Sequence, residues 1–142
     1  MENNRFIFDH VHLISADPDA AARWYIEMFD GRIASQHNIR GAPQINVQAG
    51  GMTILIRGRR DAEAPATRPA MKDFGTYSSH DEWGTDHFGF TYQGDLSALC
   101  EELRVKGAEF SVEPWEFAPA VWLCYLKAPD GVSIEIVQAR QK

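Results

Sequence analysis

FDHVHLIS at residues 8–15 and TDHFGFTY at residues 85–92 decide the fold of this chain. Both runs carry the aromatic and β-branched side chains that strands favour, and both hold an Asp-His pair near their start. From His10 to His87 the offset is 77 positions, and from Gly31 to Gly107, which close the helix patterns that follow, it is 76. After Asp17-Pro18, a capping residue with proline at the first helical position, Ala21, Trp24, Tyr25 and Met28 recur at helical spacing. After Gly94-Asp95 the same pattern falls on Leu96, Leu99 and Leu103, in a helix expected to run through Lys106. The first strand of each copy is expected over 6–15 and 86–92. Three more follow each helix, at 32–40, 44–49 and 52–57 and again at 108–112, 120–127 and 132–138. Gly50-Gly51 and Pro129-Asp130-Gly131 supply tight turns. The chain therefore reads as one βαβββ module written twice in a single α+β domain over 1–142, module 1 near 5–58 and module 2 near 86–140.

Composition narrows the function classes. Apolar content of 44% with 24% charged residues is that of a soluble globular protein able to bury a core. A net charge of −6 argues against a nucleic-acid partner, whose phosphates call for Lys and Arg. No apolar run reaches the roughly 18 residues that cross a bilayer, and MENNRFIF is not a signal peptide, so no membrane partner is expected. Cys100 and Cys124 form no CxxC pattern and read as packed thiols of a cytoplasmic protein.

The stretch of about 59–85 keeps no period. Its first half, DAEAPATRPA, is small and proline-rich; its second, FGTYSSHDEW, is aromatic and leads into the strand with His87. It is either a lid, with Phe74, Tyr77 or Trp83 closing on a substrate, or a crossover whose aromatics pack on a sheet. Arg57, Arg59 and Arg60, just before it, either hold a carboxylate or form a solvated charge run.

Residues two apart on a strand face the same side, so His10 and His12 point together and His87 takes the matching place in module 2. Glu135 alternates with Ile134 and Ile136 in GVSIEIVQ. Taken singly it reads as a solvent-facing strand residue; taken with two repeat-equivalent histidines it completes a metal site. Two imidazoles and one carboxylate leave open coordination positions, a set that suits Fe2+ and is compatible with Mn2+, Zn2+ or Ni2+.

These motifs, with RWYIEMFDG at 23–31 and APDGVSIEIV at 128–137, resemble the vicinal oxygen chelate superfamily. That group includes glyoxalase I, extradiol dioxygenases, fosfomycin-resistance proteins, methylmalonyl-CoA epimerase and bleomycin-resistance proteins. The resemblance covers nearly the whole chain outside the central loop. It implies two paired βαβββ modules forming a curled mixed sheet around a metal cleft, with His10, His87 and Glu135 as ligands and a homodimer as the assembly. A fourth ligand, Glu or Gln in glyoxalase I and the epimerase, would fall at Leu55, which cannot bind metal. A three-ligand site is similar to the fosfomycin-resistance and extradiol branches.

Tyr125 then falls where those branches carry a pocket tyrosine that can hydrogen-bond or protonate a bound oxygen; the plainer alternative is a core tyrosine. His12 is either an acid–base residue in the pocket wall or an ordinary strand histidine. Leu55, Tyr77, Trp83 and Trp122 are the expected substrate contacts. The leading function is a divalent-metal enzyme, a lyase, isomerase or addition catalyst, that uses Lewis-acid chemistry on a small substrate with adjacent oxygens. The alternatives are an Fe(II) ring-cleaving dioxygenase and a non-catalytic binder of the bleomycin-resistance kind.

Overall fold

The structure, a computed structural model, describes residues 5–66 and 83–139. It divides into two compact units, Met1–Ala66 and Thr67–Lys142. In the first, β1 (Val11–Ile14), α1 (Pro18–Phe29), β2 (Arg32–Ile39), β3 (Ala42–Ala49) and β4 (Met52–Arg57) follow in order. The second repeats this with β5 (Phe88–Tyr92), α2 (Leu96–Val105), β6 (Phe110–Ala118), β7 (Val121–Lys127) and β8 (Ser133–Gln138). Each unit is thus βαβββ, with a mixed four-stranded sheet ordered β1-β4-β3-β2 in one and β5-β8-β7-β6 in the other. In both, the first strand pairs parallel to the last and the remaining pairs are antiparallel.

Local chemistry accounts for the helices. Asp17 and Asp95 accept hydrogen bonds from the N–H groups of Ala20 and Ala98, satisfying donors that the first turn leaves unpaired. Ala21, Ala22, Tyr25 and Met28 are buried on α1, which packs on β3 and β4, where Ile45, Val47, Ile54 and Ile56 are also buried. In the second unit Leu96, Cys100 and Leu103 are the buried residues of α2. Cys100, not Leu99, completes that face, and its sulfur lies 3.7 Å from that of Cys124 on β7. Trp24 is likewise only half-buried on α1.

The stop of α1 also differs from expectation. Asp30, at φ 50 and ψ 39, adopts the left-handed conformation at the helix end, and its N–H donates to the Ile26 carbonyl. Gly31 is required for a different reason. A Cβ there would lie 3.0 Å from the Gln48 carbonyl oxygen and 3.3 Å from the Ala49 Cβ.

Both first strands are shorter than the sequence pattern predicts, and register bounds how far back they could reach. Val11 is in register with Ile54, so a strand continued back to Phe8 would have to pair with Gly51, which sits in a turn at φ 77. Phe88 is in register with Ile134, and β8 begins only one residue earlier, at Ser133. His10 and His87 stand just outside the strands, which begin at Val11 and Phe88. The strand expected over 108–112 instead continues to Ala118. Pro114 is tolerated because β6 is an edge strand, and the pairing with β7 shifts register between Val112 and Trp115.

Beyond β4 the carboxylate met by the arginines is the chain's own. Glu63 accepts from the Arg57 guanidinium at 3.1 Å, the Arg60 guanidinium at 2.6 Å and the Arg60 backbone N–H at 2.9 Å. These bonds, the Arg60 backbone N–H first, hold the Glu63 carboxyl down at about 2. A depressed carboxylate contributes stability that is complete above its ordinary value of 4.5 and is lost as pH falls to about 2. A carbon-13 titration of Glu63 should therefore show its midpoint near the lower value. A midpoint at the ordinary one would mean that this clamp does not form in solution.

Candidate metal centre

In the second unit, sheet register brings the site together. Gly89 on β5, Glu135 on β8 and Tyr125 on β7 lie directly abreast, so their side-chain positions share one face. His87, two residues before Gly89, faces the same way. Its Nε2 lies 3.5 Å from Glu135 Oε2, and the ring meets Tyr125 edge-on with centroids 5.0 Å apart. The Tyr125 hydroxyl donates to the other carboxylate oxygen, Oε1, at 3.1 Å. Asp86 holds the far side of the imidazole, its Oδ2 lying 2.6 Å from Nδ1. Glu135 fits against β5 because position 89 has no side chain: a Cβ there would lie 2.9 Å from the Glu135 carbonyl oxygen and 3.2 Å from its Cβ.

The donor set fits a divalent cation. Nitrogen and oxygen ligands at about 2.1 Å from one metal, at angles from octahedral to tetrahedral, are roughly 3.0–3.4 Å apart. The observed 3.5 Å is within a small movement of that range. Asp86 on Nδ1 and Tyr125 on Oε1 are the outer partners that orient such ligands. Among the described residues, no group of three or more His, Cys, Asp or Glu side chains gathers into a metal-binding cluster. The structure joins His87 to Glu135, and His10 is described within its own unit.

There the arrangement repeats in part. His10 Nδ1 hydrogen-bonds to the carboxylate of Asp9, as His87 does to Asp86. Its ring lies edge-on to His12, with centroids 6.2 Å apart. His12 is in register with Leu55, and Leu55 with Asn46. Leu55 thus occupies in this sheet the place of Glu135 in the other, and Asn46 the place of Tyr125. Asn46 bridges Gln44 and Ser35 through hydrogen bonds of 3.0 Å each. Burial, then the Arg57 charge, then His10 push the His12 imidazole below the ordinary histidine value, which favours its neutral form.

Three other residues were expected to contact a substrate. Trp122 lies on the opposite face of β7 from Tyr125, because residues three apart along one strand point to opposite sides. Trp83 is 104% exposed and packs on nothing among the described residues. Tyr77 lies outside the described residues. Asn46 and Gly89 were missed. The polar alternation of Gln44, Asn46 and Gln48 was the available signal for the first; nothing in the sequence alone marked the second.

The comparisons with known proteins agree with this framework. The model of the Glyoxalase/Bleomycin resistance protein/Dioxygenase superfamily matches residues 7–136. The chain belongs to that superfamily. No protein of curated function matches it significantly. Among solved structures, it is similar to a glyoxylase/bleomycin resistance protein/dioxygenase domain from Frankia sp. EAN1pec, at 24% identity and TM-score 0.72, covering 96% of this chain and 93% of that one. A glyoxalase family protein from Bacillus cereus is similar at 18% identity and TM-score 0.72, covering 97% of each chain. The fosfomycin resistance protein FosX from Listeria monocytogenes, in a variant complexed with Mn(II) and 1S,2S-dihydroxypropylphosphonic acid, is similar at 14% identity and TM-score 0.66, covering 92% of this chain and 90% of that one. At these identities the structural likeness establishes the superfamily fold. No helix among the described residues is long and apolar enough to cross a membrane.

Proposed function

We propose that this superfamily member is a divalent-metal enzyme acting on a small substrate with adjacent oxygens, with His87 and Glu135 as two ligands and His10 as the third. One observation carries the reading: His87 Nε2 and Glu135 Oε2 face each other at 3.5 Å while Asp86 and Tyr125 hold the other polar atom of each side chain. The same Nδ1–carboxylate contact at His10 supports its inclusion. Mn(II) held by FosX, on the same fold, is consistent with it. When bound, the ion would supply Lewis acidity toward substrate oxygens.

The protein's own part is orientation and proton handling. Tyr125 is 1% exposed and commits its hydroxyl proton to Glu135, so it fixes the carboxylate rather than serving as the first proton donor. His12 takes the proton-handling role, accepting a proton on its neutral imidazole. Leu55 has no donor atom, so the first sheet adds no fourth ligand, and the four-ligand glyoxalase I and epimerase chemistries are disfavoured.

Metal analysis of protein isolated without chelator, followed by titration with Mn(II), Fe(II), Zn(II) and Ni(II), tests the reading. About one ion per chain is the expected result. The absence of any binding tighter than about 1 mM, roughly −4 kcal/mol, would leave the bleomycin-resistance-like binder as the better account. Turnover that survives removal of oxygen selects Lewis-acid chemistry over ring cleavage by a dioxygenase.

A further inference from the structure

We propose that Asp9 and Asp86 are positioning residues, each selecting the ring tautomer of the histidine that follows it. The inference deepens the metal-centre reading and rests on it for its functional half. Consecutive residues in a strand point to opposite faces, so an Asp-His pair inside β1 or β5 could not easily make this contact. Both pairs instead lie just outside strands that begin at Val11 and Phe88. In each, the carboxylate meets Nδ1 of the next residue's imidazole. The contact recurs at repeat-equivalent positions although the surroundings differ: the Asp9 side chain is 89% exposed and that of Asp86 34%.

The physical consequence is specific. A carboxylate accepting from Nδ1–H keeps the proton on that nitrogen and places the ring's lone pair on Nε2. At His87 this is the atom that faces Glu135. The carboxylate also makes the imidazole a stronger donor to a cation. Asp86 should matter more than Asp9, because solvent screens an exposed charge.

Ring nitrogen-15 spectra of the metal-free protein at pH about 8, where ordinary histidines are neutral, read the tautomers directly. Competition with a chromophoric chelator for Zn(II) reads affinity on the same samples. In the unaltered protein His10 and His87 should both carry the proton on Nδ1. In Asp86→Ala, His87 should lose that preference and Zn(II) affinity should fall roughly 10–100-fold. Asp86→Asn, which keeps an acceptor without the charge, should fall between, and Asp9→Ala should cost less than roughly 10-fold. A His87 tautomer unchanged in Asp86→Ala overturns the assignment. A shifted tautomer with unchanged Zn(II) affinity overturns its functional half. If the unaltered protein binds no Zn(II), Mn(II) or Ni(II), the metal-centre reading falls by itself, and the spectra still decide whether Asp86 sets the tautomer.

Discussion

On the proposed metal-centre reading, replacing Glu135 by alanine should lower divalent-metal affinity by at least about 100-fold, because loss of a ligand should exceed the roughly 10–100-fold cost of losing an outer partner. Any metal-dependent turnover should fall with it. The cost to the fold is small by comparison. Glu135 lies on the sheet face shared with Tyr125, and the bond lost is the one from the tyrosine hydroxyl to a charged carboxylate, worth about 1.5–3 kcal/mol. Calorimetric or competition titration measures the first effect and denaturant unfolding the second. Affinity within a few-fold of the unaltered protein would remove Glu135 from the ligand set.

Replacing Ile136 by alanine should do the reverse. Ile136 is 2% exposed and in register with Phe90 and Cys124, on the face where Cys124 meets Cys100 of α2. Truncation removes buried methyl groups and leaves a cavity that rigid strands cannot close, at a cost of about 2–5 kcal/mol. Zn(II) affinity of the folded protein should stay within about 3-fold, since Glu135 projects to the other side of β8 and keeps its Tyr125 partner. A destabilisation below about 1 kcal/mol would mean that the site repacks, unlike most large-to-small core changes. The two neighbours thus separate function from stability across a single strand.

The legibility of the site varied residue by residue. His87 was legible from the repeat, Glu135 once it was set beside the two repeat-equivalent histidines, and Tyr125 only through the family resemblance. Strand alternation, applied from the start of β7, would have turned Trp122 away from Tyr125. Aromatic content alone carried no such direction. Gly89 could not be recognised, because its importance is the 2.9 Å approach of a Glu135 carbonyl oxygen from a strand 46 positions later in the chain.

The sequence by itself determined the duplicated βαβββ order, the Asp17 and Asp95 caps, the turns and the superfamily, since these follow from short-range periodicity, capping chemistry and motif. Only the tertiary structure decided where β1 and β5 begin, because their pairing is with β4 and β8, which lie far along the chain. That boundary leaves His10 and His87 outside their strands, where the preceding aspartates reach Nδ1. It also decided that Glu63 is the carboxylate on Arg57 and Arg60, and that Leu55 and Glu135 hold matching places in the two sheets. Register between distant strands selects such partners, and no local pattern encodes it.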